Sequence, residues 1–161
     1  MSADELLAEV EDKRIPVPQR DLDAFESSLG QQLPEEYRRF LMACNGGFLD
    51  GRFMFAQLSV ISAIYGFRND VSLTKAREKM RQRRLPKVLI PIMKDPFGSE
   101  ICIGVTGAYT GKIYFWNSKI EAEVVDDWDG DVETARHVTL IANSLSSFFE
   151  ALQLSPYGRC P

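Results

Sequence analysis

Apolar residues recur along this chain at two distinct periods. Leu22, Phe25 and Leu29 fall three and four apart, and after Pro34 the set Tyr37, Phe40, Leu41 and Cys44 repeats at i, i+3, i+4 and i+7. Both sets predict amphipathic helices, over 22–29 and about 35–45. Asp21 is placed to cap the first. Pro34 is expected to open the second, where its missing N–H would be unpaired anyway. Glu35 and Glu36 follow at the positive end of the helix dipole, and Asn45-Gly46-Gly47 supplies residues that accept positive φ and end the helix. Leu145, Phe148, Phe149 and Leu152 repeat the same spacing near the other end, with Asn143 or Ser144 as cap. A charged helix is predicted over 70–83, capped by Ser72 or Asp70 and facing inward with Val71, Leu73, Ala76 and Met80. A short helix over 3–12 and an extended connector, Ile15-Pro16-Val17-Pro18, complete the helical part.

The middle of the chain reads as strand. Candidates lie at 52–55 and 60–65, then at 88–93, where Pro91 suggests a strand end or a sheet edge. Glu100–Val105 and Lys112–Trp116 are the strongest runs, joined by the loop 106–111. Ile101, Ile103 and Val105 share a face, but Cys102 and Gly104 on the other are also uncharged, so this hairpin is expected to be covered on both sides. Further strands are expected near Glu123–Val125 and His137–Leu140. Helices first, strands in the middle and a helix last predict an α+β fold: a single domain over 1–161 with a central mixed or antiparallel sheet packed by helices from both ends of the chain. Residues 1–20 form its N-terminal helix and connector, and 155–161 a loose tail.

The composition, 45% hydrophobic and 26% charged over 161 residues, is that of an ordinary globular protein. No apolar run approaches the ~20 residues that span a bilayer, and the acidic, amphipathic N-terminus lacks the pattern of a secretory signal. Cys44, Cys102 and Cys160 form neither a CxxC nor an even disulfide set, so a cytoplasmic location is expected, with Cys44 and Cys102 buried and Cys160 exposed. The net charge of −4 hides an asymmetry. Residues 69–87 carry seven basic and two acidic side chains, whereas 119–135 carry seven acidic ones against Lys119.

Three blocks, taken in order, resemble the SUKH superfamily, which includes fungal cell-wall-assembly regulators and bacterial toxin-immunity proteins. They are LDAFESSLGQQLPEEYRRFLMACNGG (22–47), IPIMKDPFGSEICIGVTGAYTGKIYFWNS (90–118) and LIANSLSSFFEAL (140–152). Many members follow the tryptophan with Asp-His, where this chain has Trp116-Asn117-Ser118. The matching residues are mostly apolar or turn formers, so the resemblance implies a fold and a protein-binding role rather than a catalytic set.

The residues themselves suggest no assembled catalytic, cofactor or metal site. His137 is the only histidine, and no nucleophile elbow or metal-ligand spacing accompanies it. Gly104, Gly107 and Gly111-Lys112 fail the phosphate-loop pattern at Thr106 and Ile113 and read as a hairpin turn. Asp127, Asp129 and Asp131 resemble the start of a calcium loop, but Val132 and Val138 stand where its glycine and glutamate belong. The acidic segment is the candidate contact surface: Trp128 as an aromatic anchor among Glu123, Asp126, Asp127, Asp129 and Asp131 as steering charges. The competing reading folds Trp128 back onto the core. The basic segment 75–87 lacks interleaved aromatics, so nucleic acid is not the expected partner; it reads as a solvated face, or as the mate of the acidic loop in a weak homodimer. The resemblance thus implies a non-enzymatic, cytoplasmic immunity protein that blocks the active site of a cognate toxin, such as a nuclease. The alternative is a regulatory adaptor of the cell-wall-assembly type. No cofactor and no membrane partner are expected.

Overall fold

A computed structural model describes residues 1–11, 15–121, 123–124 and 126–156. The expectations for Asp12, Val125, Cys160 and the end of the tail (157–161) lie outside these residues. The helices are α1 (Ala3–Ala8), α2 (Gln19–Leu29), α3 (Glu35–Ala43), α4 (Leu73–Arg81), α5 (Ser118–Glu121) and α6 (Leu145–Glu150). The strands are β1 (Gly47–Phe48), β2 (Phe53–Phe55), β3 (Ser59–Val60), β4 (Ala63–Ile64), β5 (Leu89–Lys94), β6 (Glu100–Gly104), β7 (Ile113–Trp116), β8 (Val138–Ala142) and β9 (Gln153–Leu154). Six of them form one sheet in the order β1-β4-β5-β6-β7-β8, and β3-β2-β9 form a second, smaller sheet. Every strand pair is antiparallel, which resolves the mixed-or-antiparallel expectation.

The helix caps follow local chemistry. Ser72 and Ser144 each accept a hydrogen bond from the backbone N–H three residues on, so serine takes the cap in both cases rather than Asp70 or Asn143. At α2 the expected cap fails: the helix begins earlier, with Pro18 in the cap position, and Asp21 lies inside the first turn, where the helix dipole favours it. Pro34 likewise occupies the cap of α3, one position before the first helical residue. The α2–α3 joint is tied by Glu26, whose carboxylate accepts from Leu33 N–H at 2.7 Å and from Arg38 Nε at 3.2 Å.

Two other elements differ from expectation. Pro91 lies in β5, inside the sheet between β4 and β6 rather than at an edge. It is tolerated because β4 pairs only with Met93 and Lys94, and because the register against β6 shifts between Pro91 and Met93. A proline at such an irregularity loses no ladder bond on its β4 side. Of the strand expected near Glu123–Val125, the described residues Glu123 and Val124 are not in a strand; their N–H groups donate back to the carbonyls of Ile120 and Glu121.

The central hairpin is covered on both faces, as its composition implies. Ile101, Ile103, Ile113 and Phe115 join the main core with α2, α3 and α6, where Phe40 and Phe149 stack at 5.0 Å. Cys102, Tyr114 and Trp116 point the other way into a second core with Met80, Leu89, Ala135 and Val138. Period-two alternation along β6 and β7 thus feeds two different cores. Helix α4 spans both, giving Leu73 and Ala76 to the first and Met80 to the second. The main core makes the domain; the second core supports the face that carries the acidic and basic segments.

Candidate protein-binding site

The seven acidic residues of 119–135 form no single strand or helix. Glu121 ends α5, Glu123, Asp126 and Asp127 lie in turns before Trp128, and Glu133 sits in a 3-10 turn over Val132–Thr134. That loop is locked from within. Asp131 Oδ1 caps the turn by accepting from Glu133 N–H at 3.1 Å. Asp129 Oδ1 accepts from Asp131 N–H at 3.0 Å and from the Thr134 hydroxyl at 2.6 Å. These bonds, the Thr134 hydroxyl first, hold the Asp129 carboxyl below the usual carboxylate range. Glu123, Asp126, Asp127, Asp129 and Asp131 are all exposed.

Trp128 meets both sequence-level readings halfway. Its ring packs edge-on against His137 at 4.9 Å between centroids, and its Nε1 donates to Thr134 Oγ1 at 3.0 Å, so it leans on the second core. It nevertheless stays half-buried, with part of the ring facing solvent. His137 beneath it is a structural residue: it is 1% exposed, and its Nε2–H donates to the Arg84 carbonyl at 2.8 Å. Nδ1 is then a buried acceptor without a hydrogen-bond partner. A small pocket of about 100 Å³ opens beside the pair, lined by Ile120, Val124, Thr134 and Arg136 as well as the two rings.

The basic segment lies against the acidic one in the same chain. Arg84 Nη2 meets Asp126 Oδ1 at 3.2 Å, and Arg83 meets Glu121 at 3.6 Å while its guanidinium lies 4.8 Å over the Trp116 ring. Arg83 and Arg84 thus bring the basic and acidic segments into contact within one copy. The basic stretch is not merely a solvated face, for it forms one wall of a cleft. Arg84 is strained as well as central: its φ of +59° is a left-handed backbone on a non-glycine residue, costing about 1–2 kcal/mol. Its carbonyl, held by His137, and its guanidinium, held by the Glu121 carbonyl and Asp126, fix that conformation.

The cleft runs between the end of α4 and the Trp128 loop, with a volume of about 1010 Å³. Arg81, Arg84 and Lys87 line it with Tyr109, Trp128, Asp129 and Asp131. Nothing local in the sequence joins residues some forty positions apart; the only signal is the opposite charge of the two segments. Among the described residues, no group of three or more His, Cys, Asp or Glu side chains is arranged to hold a metal ion, and no helix is long and apolar enough to cross a membrane.

Comparison with known proteins agrees with the three sequence blocks. The chain is 27% identical over 157 residues to the SPbeta prophage-derived uncharacterized protein YokK of Bacillus subtilis (strain 168), covering 84% of this chain and 74% of that one. A crystal structure of a protein from Pseudomonas syringae pv. tomato is similar at 18% identity and a TM-score of 0.48, covering 79% of this chain and 87% of its own. The sequence profile of the SMI1 / KNR4 family (SUKH-1) matches residues 16–151, most of the chain, which therefore belongs to that family.

Proposed function

We propose that this chain is a non-enzymatic, cytoplasmic immunity protein of bacterial origin that binds a cognate toxin domain and blocks its active site. Membership of the family supports a protein-binding role, and the prophage-derived relative supports a bacterial setting. The observation that carries the reading is the acidic loop itself: exposed carboxylates on a backbone locked by its own hydrogen bonds, with a half-buried tryptophan at the centre. A preorganised loop loses little freedom on binding. Its charge would speed encounter with a basic nuclease cleft, and the ring of Trp128 would lengthen the complex's life.

Changing Asp126, Asp127, Asp129 and Asp131 together to Asn tests this. Asn keeps an Oδ1 acceptor at positions 129 and 131, so the loop should hold its shape. The lost Asp126–Arg84 pair is exposed and stabilises little. Stopped-flow association with a toxin domain that the wild type neutralises on co-expression should slow by about tenfold at low salt, and its salt dependence should flatten. Unchanged association rates would remove the loop from the interface. A wild-type chain that rescues no such domain would remove the immunity reading itself.

A further inference from the structure

The cleft beside Trp128 has walls of opposite sign. We propose that it holds an extended segment of the partner protein in which acidic side chains meet Arg81 and Lys87 while basic side chains, alternating with them, meet Asp129 and Asp131. This rests on the protein-binding reading above and adds what kind of segment is recognised.

Four observations carry it. The volume of about 1010 Å³ exceeds what one side chain fills and suits a stretch of chain. Between the charged residues, Leu85, Val88, Leu89 and Val132 offer apolar contact. Of the four cations in the lining, Arg84 is paired with Asp126, and Arg77 donates to the Ser28 hydroxyl at 2.8 Å and lies over the Phe25 ring; no ion pair among the described residues engages Arg81 or Lys87. Asp129 and Asp131, opposite, are pinned through Oδ1 and keep their charge in place. Successive side chains of an extended peptide point to opposite sides, so a positive wall and a negative wall read alternate residues of one strand. Tyr109, held by its hydroxyl's bond to Glu133 at 3.2 Å, and Trp128 add two ring faces to the lining. The same geometry disfavours polyphosphates: the acidic wall and the chain's net charge of −4 both repel them.

The test pans a phage-displayed library of short random peptides on the full chain and on the Arg81→Glu/Lys87→Glu double variant. Both side chains are exposed, so the variant should fold, with circular dichroism as the check. The expected result is enrichment of sequences alternating acidic and basic residues. Their affinity should fall by about tenfold or more in the double variant, as lost charge complementarity predicts, and a short single-stranded DNA should not displace them. Lack of enrichment, enrichment of uniformly charged or apolar peptides, undiminished binding by the variant, or displacement by DNA would each overturn the proposal. The two readings fail separately. A double variant that still neutralises a toxin at wild-type strength rejects the cleft and spares the immunity role. A wild type that neutralises nothing rejects that role, and the peptide selection still decides the cleft.

Discussion

Gly66→Ala should destabilise the fold by about 4 kcal/mol or more, the range reserved for a defect that the surroundings cannot absorb. A Cβ at position 66 would stand 2.3 Å from the Asn45 carbonyl carbon, 2.5 Å from its oxygen and 2.6 Å from Gly46 N. All three are backbone atoms, so no side chain can swing aside. Those atoms are also fixed by other bonds. Asn45 is buried, donates from Nδ2 to the Pro16 carbonyl at 3.2 Å and accepts from Phe67 N–H at 2.6 Å. Gly66 itself donates to Val71 and accepts from Leu73, both at 2.8 Å. The position is a crossing of two backbones where the helical layer meets the edge of the sheet. Gly30→Ala is the control. Gly30 has a left-handed φ of +80° and nothing within 4 Å of its missing Cβ, so it should lose only the conformational share, about 1 kcal/mol. Urea titration of both variants checks the pair. Equal losses at 30 and 66 would show that crowding at the crossing is not what requires glycine.

Replacing Glu100 by Gln should remove a pH dependence worth about 3 kcal/mol. The Glu100 side chain is buried at the start of β6, hydrogen-bonded by the Tyr65 hydroxyl at 2.9 and 2.8 Å to its two oxygens. Burial pushes its pKa from 4.5 up to about 7; the Tyr65 bond, Lys79 and Lys94 pull it down, and Asp95 adds to the rise. The folded protein therefore binds this proton more tightly than the unfolded chain does. Its contribution to stability is complete below pH 4.5 and is lost as pH climbs to about 7, by about 1.4 kcal/mol for each pH unit between those two values. Gln mimics the protonated form and still accepts from Tyr65. Subtracting the variant's stability from the wild type's, by urea titration at pH 5 and pH 8, should give a difference that falls by about 2.5 kcal/mol as pH rises. Parallel pH profiles would mean that Glu100 titrates as it does in the unfolded chain. Absolute stability is not the readout, because the Gln amide N–H₂ brings donors of its own.

Neither effect shows in the chain's one-dimensional pattern. Glu100 reads as a polar strand end; its burial and its hydrogen bonds from Tyr65, just beyond β4, come from residues distant in the chain. Gly66 reads as a glycine after a strand; what excludes a side chain there is the Asn45-Gly46 backbone, some twenty residues earlier. Asn-Gly-Gly is legible as a helix end, but Gly46 has a second reason to be glycine, since its own Cβ would come 2.8 Å from Gly66 N. By contrast, periodicity is enough to place α3, α4, α6 and the β6–β7 hairpin, because each buries a face whose spacing is written locally. Pro91 misleads because an edge is a property of neighbours, and β4's short reach is not visible in the residues around the proline. The candidate loop is legible as charge plus tryptophan. Its internal hydrogen bonds, the strained Arg84 and the cleft shared with the basic segment depend on contacts between distant residues.

The position of His137 has an optical consequence. The chain has two tryptophans, and both meet this one imidazole edge-on, Trp116 at 6.4 Å and Trp128 at 4.9 Å. Trp116 is fully buried and should emit at short wavelength whatever is bound, whereas half-exposed Trp128 contributes a redder, solvent-sensitive band. The protein thus carries an internal reference and a reporter of occupancy side by side, and unlabelled binding at this face can be followed as a blue shift of the second band against the first.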